Sequence, residues 1–339
     1  MNVRRRLIPT AALASATVLG LTALTACSSS AADDKDGKLD VVASFYPMQY
    51  LAEQIGGDHV SVTNLTDAGQ EPHDLDVSAK QRGQLEESDV ALYLKGLQPA
   101  VDDAIDQSGI KTKVDAASLT SMEKHGTEVG GHADGHEDEH AEHGEEGHEE
   151  EGHEDHGHEH SHEGSDPHIW LDPVRYAEVA EGVGKALQKA DPDHAATYEK
   201  NTAKLVKKLD GLNKRFEDGL KNTKAAPPKV FITTHAAFGY LAERYGLTEE
   251  AISGLDPEGE PSAKRVKDLQ KMAKEDGVTT VFYETLVSDE TARTLAKDAN
   301  LKTDVLDPIE GITKKSRGDD YIEVMDSNLQ ALRKALGAK

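Results

Sequence analysis

DHAATYEKNTAKLVKKLDGLNKRFEDGL, residues 193–220, contains no proline, and its Leu205, Leu209, Leu212, Phe216 and Leu220 recur at spacings of three and four. Such spacing lays one apolar stripe along a single helix, ~42 Å long at the usual rise per residue. The stripe by itself fits a packing helix or a coiled coil, so its flanks decide. Upstream, LDVVASF (39–45), HVSVTNL (59–65) and DVALYL (89–94) are short apolar runs of strand type, and SAKQRGQLEESD (78–89) is a short polar helix. Downstream come KVFITT (229–234), a helix with Phe238, Leu241 and Tyr245 on its apolar face, then VTTVFYE (278–284) and TDVL (303–306). Strand and helix alternate on both sides. The predicted fold class is therefore α/β, with two lobes of mainly parallel sheet joined by one long rigid helix that permits only small lobe movements. The expected divisions are an N-terminal lobe at 39–190, a linking helix at 191–222 and a C-terminal lobe at 223–339.

A chain of 339 residues with 37% hydrophobic content can bury cores of ordinary domain size. Its net charge of -25 is unevenly spread. Residues 125–163 carry fifteen carboxylates and no Lys or Arg, which leaves the remainder near -10. A moderately acidic body argues against nucleic acid as partner, because phosphate binding needs a basic surface, and favours small cations.

MNVRRRLIPTAALASATVLGLTALTAC opens with three arginines, continues in an apolar stretch and ends in small residues before the only cysteine. It reads as an export signal over 1–26, with Pro9 and the scattered Ser and Thr weighing against a permanent membrane helix. Leu24-Thr25-Ala26-Cys27 resembles a bacterial lipobox, which makes Cys27 the lipidated residue and 27–38 a flexible tether. With that cysteine consumed, no disulfide is expected.

Eleven of the sixteen histidines fall in 125–163. That tract of His, Glu, Asp and Gly has no apolar face to bury, so it is expected to be disordered without metal. HEDEH (136–140) matches the zinc-protease pattern, but the pattern works only on a packed helix, and nothing apolar here would hold one. His59 and His194 lie in polar surroundings and read as surface residues. His73 in GQEPHDLD, His168 in DPHIWLDP and His235 directly after KVFITT all occupy strand-to-helix junctions, with Asp172 and Pro173 read as the N-cap and first residue of a helix and His235 as opening one. In open α/β sheets those junctions line the ligand crevice. Facing lobes would bring His73 and His168 from one side and His235 from the other, with Glu284 and Asp307 as carboxylates of the second lobe. Three imidazoles and one carboxylate suit tetrahedral Zn²⁺, whereas Mn²⁺ would more naturally carry a second carboxylate.

The chain resembles the zinc-binding lipoproteins of bacterial ABC importers, the ZnuA-like or adhesin-B-like members of the metal-binding cluster A-I family. The resemblance runs from about Leu39 to the C-terminus through EPHD, DPHIWLDP, ITTHAAFGYL, EPSAKRVKDL, VFYE and LDP followed by YIEVMDSNLQAL. It implies two α/β lobes on a rigid helix and metal in the cleft, held by His73, His168, His235 and a fourth ligand that varies. The aspartate of the segment matching VLDPIEG places that fourth ligand at Asp307, with Glu71, Glu284 or a water as alternatives. The His-rich tract is similar to the loop of many zinc members. One departure is the lack of a cysteine pair, which some zinc members use as a disulfide.

The expected function is capture rather than catalysis: a monomeric protein, lipid-anchored on the outer face of the cytoplasmic membrane (the periplasmic side where an outer membrane exists), binds Zn²⁺ and delivers it to an ABC permease and its ATPase. Closed four-ligand coordination leaves no position for a substrate or water. A metal-dependent hydrolase would need a general base, for which Glu284 is the visible candidate. A Mn²⁺-binding member of the family, or a metal-buffering or adhesin lipoprotein without a transport role, are the other readings.

Overall fold

The computed structural model describes residues 37–126, 164–225 and 229–338. The export signal, Cys27, most of the tether and nearly all of the His-rich tract lie outside the described residues.

The first sheet consists of β1 (Leu39–Ala43), β2 (Val60–Asn64), β3 (Val90–Tyr93) and β4 (Thr112–Asp115), all parallel, in the order β2-β1-β3-β4. Around it run α1 (Tyr46–Gly56), α2 (Ala79–Glu87) and α3 (Pro99–Gln107), followed by α4 (Pro173–Ala190) and α5 (Ala195–Leu220). The second sheet repeats the plan: β5 (Val230–Thr233), β6 (Thr248–Ala251), β7 (Thr280–Tyr283) and β8 (Lys302–Val305) lie parallel in the order β6-β5-β7-β8. Its helices are α6 (Gly239–Tyr245), α7 (Ala263–Glu275), α8 (Glu290–Asp298) and α9 (Tyr321–Ala335). The two-lobe α/β architecture is thus the one the alternating pattern implies. In both sheets the order reverses direction beside the first strand, so the loops after β1 and β3, and after β5 and β7, open a crevice at their carboxyl ends.

Six strands follow the apolar runs, but β4 and β6 carry no such signal. TKVD buries only Val114 and TEEA only Ala251. These are edge strands, recruited by the hydrogen bonds that β3 and β5 offer rather than by their own side chains.

Helix α5 has 26 residues, ~39 Å in length, and buries Leu205, Leu209, Leu212, Phe216 and Leu220 as the stripe requires. It starts two residues later than the 193–220 reading. Pro192 opens a separate single 3₁₀ turn over 192–194, and the Asp191 carboxylate accepts from His194 Nδ1 at 2.7 Å and from the Tyr198 hydroxyl at 2.6 Å, fixing the corner between α4 and α5. His59 stacks on His194 with ring centroids 3.9 Å apart. Both belong to this corner and not to the crevice.

One apolar cluster runs through both lobes, from Val41 and Leu92 by way of Phe45, Trp170, Tyr176, Leu209 and Phe216 to Tyr321, Phe282 and Leu332. Smaller clusters line the outer faces of the two sheets. Polar ties reinforce the shared core. Asp172 caps α4 by accepting from Val174 N, as expected, and the Arg244 guanidinium of α6 forks onto the same carboxylate at 2.6–2.9 Å. Charge-assisted forks of this kind are stronger and more directional than neutral hydrogen bonds.

Candidate metal centre

His73 sits in the loop between β2 and α2, His168 immediately before the 3₁₀ turn Ile169–Leu171 that leads into α4, and His235 two residues after β5. His235 does not open a helix: α6 begins only at Gly239, so the histidine rides on a bend whose backbone is free to aim it inward. The structure brings all three rings together, with centroids 5.2–5.9 Å apart.

The carboxylate that joins them is Glu310. Its Oε1 lies 3.3 Å from His73 Nε2, 3.4 Å from His168 Nε2 and 3.5 Å from His235 Nε2, and the latter two nitrogens are 3.3 Å apart. All four donor atoms fall within 4.8 Å of one another. A tetrahedron with bonds of ~2.0–2.1 Å has edges of ~3.3 Å, so these four separations match the edges of a Zn²⁺ coordination tetrahedron.

Asp307, the residue placed fourth from the sequence, is not in this cluster. Its Oδ1 accepts from Ile309 N at 2.8 Å and its Oδ2 from the Thr285 hydroxyl at 3.0 Å, while its backbone exchanges two hydrogen bonds with the Asn328 amide. Asp307 shapes the loop and Glu310 uses it. The same loop carries Ile309 at φ 61°, a left-handed conformation that β-branched residues avoid, and Trp170 Nε1 donates to Pro308 O at 2.7 Å. The chain is bent there against its preference, and the bend turns Glu310 into the crevice. Glu310 escapes a search for residues at strand ends because it lies five positions beyond β8.

Neither alternative joins the cluster. Glu284 accepts from His235 Nδ1 at 2.6 Å and from the Thr234 hydroxyl. Glu71 accepts from Asp74 N, and burial raises its pKa to about 7. Asp166, which sequence reading missed, takes the corresponding place at His168, accepting from Nδ1 at 2.7 Å and from the backbone N at 3.0 Å. Two of the three imidazoles are therefore fixed at Nδ1 by a buried carboxylate, which presents Nε2 to the centre and raises its basicity.

His168, His235 and Glu310 are at most 1% exposed. Burial works against charge on His168, but hydrogen bonds to Asp166 and Glu310 outweigh it and raise its pKa. Burial opposes charge on His235 too, yet Glu284 and Glu310 hold its pKa well above the ordinary value. For Glu310, burial favours the neutral acid and the three imidazoles overcome it, holding the carboxyl well below its usual range. The arrangement can hold either protons or a cation: a divalent ion placed between the Nε2 atoms would meet three carboxylates, Glu310 directly and Asp166 and Glu284 through imidazoles. A cavity of about 250 Å³ lined by Tyr46, Asn64, Thr66 and Asp67 reaches Glu310 from the first lobe.

Glu284→Gln keeps the shape but removes the charge behind His235. Zinc affinity is expected to fall about 10–100-fold, read by competition titration with a chelator of known affinity. An unchanged affinity would show that Glu284 does not tune the ring.

The profile described as zinc-uptake complex component A, periplasmic, matches residues 41–335. The zinc-binding lipoprotein AdcA of Streptococcus pneumoniae is 37% identical over 316 residues, covering 91% of this chain and 58% of the relative, so the chain spans a little over half the length of that curated relative. The high-affinity zinc uptake system protein ZnuA of Bacillus subtilis is 36% identical over 314 residues, 91% of either chain. Among solved structures, Zn(II)-bound AdcA from S. pneumoniae superposes with a TM-score of 0.69 at 33% identity, covering 89% of this chain and 59% of that one.

Proposed function

Because the chain belongs to the zinc-uptake complex component A family, we propose that it captures Zn²⁺ outside the cytoplasmic membrane and delivers it to an ABC permease driven by an ATPase. The observation that carries this reading is the convergence of His73, His168, His235 and Glu310, their donor atoms all within 4.8 Å of one another, inside a frame of buried carboxylates. Four protein ligands close the coordination of zinc and leave no position for a reacting water, which favours binding over hydrolysis. One carboxylate beside three imidazoles favours Zn²⁺ over Mn²⁺. In this reading residues 39–190 and 223–339 are the lobes, α5 is the stiff hinge between them, and Cys27 carries the lipid that keeps a monomeric protein beside its permease. Among the described residues no helix is long and apolar enough to cross a membrane. The test is zinc titration of the full chain together with zinc uptake by cells in which the gene is deleted and restored. Micromolar or weaker binding, or uptake indifferent to the gene, would remove the capture reading.

The proton exchange fixes the sign of the pH response. Zinc requires neutral imidazoles, and the pKa values of His168 and His235 are raised. Protons therefore compete with zinc already above the ordinary histidine value of ~6.5, and affinity falls steeply as pH drops through that range. An affinity that is flat from pH 7 to 5 contradicts a centre of three imidazoles.

The tract at 127–163 offers ten further histidines among carboxylates. A sequence of this composition, with no apolar face to bury, is expected to lose conformational entropy on closing around an ion, which lowers affinity per site. Deleting the tract is expected to lower total zinc stoichiometry while the tight site persists, and to slow uptake chiefly when zinc is scarce. Equilibrium dialysis and uptake at limiting zinc read the two effects. Loss of the tight site on deletion would transfer the working role to the tract.

A further inference from the structure

We propose that Glu123, His125 and Glu243 form a second site for a divalent cation of the zinc type, at the lip of the crevice and separate from the four-donor centre. One ligand atom from each of the three residues lies within 4.8 Å of the others, and His125 Nε2 is 3.3 Å from Glu243 Oε2. The opposite ring nitrogen, Nδ1, is hydrogen-bonded to Asp166 Oδ2 at 3.1 Å. This is the carboxylate-behind-imidazole arrangement that orients metal-binding histidines. It is also the same Asp166 whose other oxygen holds His168. One fully buried carboxylate thus backs a ring of the inner centre and a ring of the outer site.

The position of His125 is built rather than incidental. Asp166 N donates to Glu123 O at 2.8 Å, so the segments before and after the 127–163 tract are tied together, and the Tyr240 hydroxyl of α6 accepts from Glu123 N and donates to Asp166 O, both at 2.8 Å. The His125 ring packs edge-on to Tyr240 with centroids 4.6 Å apart. Gly239 lies where a Cβ would come within 2.3 Å of the His125 Cβ, and a Cβ at Gly126 would meet that of Ala236 at the same distance. Two side chains are absent where the histidine is seated.

The donors have room to work. Arg175 engages Glu123 through Oε1, the Glu123 and Glu243 carboxyl groups lie within hydrogen-bonding reach of each other, and Glu243 is largely exposed. Two neighbouring carboxylates facing one imidazole repel each other unless a proton or a cation lies between them. A cavity of about 620 Å³, lined in part by His125, Gly239, Glu243 and Arg265, adjoins two of the three groups and admits the waters that an ion with three protein ligands retains. The competing account is that His125 is a protonated pin, donating to Asp166 and Glu243 with no affinity for metal.

Zinc-edge anomalous diffraction separates the two, using crystals of the full chain grown near neutral pH with saturating ZnCl₂ and crystals of the Glu243→Gln variant grown identically. Two peaks are expected in the unaltered protein, one among His73, His168, His235 and Glu310 and one among Glu123, His125 and Glu243; the variant keeps the first and loses the second. Because Glu243 is at the surface, the substitution leaves the fold intact, and the retained inner peak reports this directly. An empty outer position beside a filled inner one overturns the proposal, as does an outer peak that Glu243→Gln leaves unchanged. An inner position that stays empty while the outer fills counts against the capture reading instead and leaves the outer site established.

Discussion

Glu310→Gln is expected to weaken zinc binding at least about 100-fold, as is His168→Ala or His235→Ala, whereas Asp307→Asn stays within about tenfold of the unaltered protein. The floor follows from outer groups, whose loss already costs about 10–100-fold, and a direct ligand contributes more. The amide is the informative replacement. An Asn at 307 still accepts from Ile309 N and can preserve the bend, but it supplies no negative charge to a metal. If Asp307 were the fourth ligand, Asp307→Asn would be as damaging as Glu310→Gln, and the assignment built on the 3.3–3.5 Å contacts of Glu310 would be lost. His59→Ala provides the background, since its ring belongs to the corner with His194. Chelator competition followed by isothermal titration reads all of these on one scale.

Trp170→Ala is expected to destabilise the fold by about 3–5 kcal/mol, the range for truncating a large buried aromatic. Trp170 is fully buried, meets Phe45 edge-on at 4.9 Å, donates Nε1 to Pro308 O, and lends its own carbonyl to the Tyr321 hydroxyl. Truncation opens a cavity in the core shared by both lobes and leaves the Pro308 carbonyl without its donor. That carbonyl belongs to the loop presenting Glu310, so zinc affinity should fall along with stability. Trp170→Phe separates the two effects, restoring most of the apolar volume without the hydrogen bond: stability should recover more than affinity. Because this is the chain's only tryptophan, unfolding in denaturant must be followed by circular dichroism. A loss below about 1 kcal/mol for the alanine variant would mean that the shared core does not depend on this side chain.

Much of the architecture was legible because its signals are local. The stripe from Leu205 to Leu220 has a period that only a helix satisfies, and runs such as VALY and VFIT are buried on both faces, which is what central parallel strands require. The three histidines whose rings converge follow or precede those elements at junctions, which is why their sequence positions point to the crevice of an α/β sheet. Edge strands β4 and β6 were illegible for the converse reason: their partners supply what their own sequences lack.

What only the tertiary structure decided is which carboxylate joins the three histidines and which ones stand behind them. Asp307 and Glu310 are three residues apart in one loop, and nothing in VLDPIEG ranks them. The choice is made by Trp170 gripping Pro308, Asn328 pairing with the Asp307 backbone, and Ile309 held at positive φ, contacts that arise 138 and 21 residues away in sequence. Glu284 likewise acquires its role only when the fold sets it 2.6 Å from the ring of His235, 49 residues away, whereas Asp166 reaches the ring of His168 from two residues away. Side-chain type and local period determine which elements form and which residues reach the crevice. The direction in which a carboxylate points inside it depends on long-range packing, because a loop has no period of its own and takes the conformation that its neighbours impose.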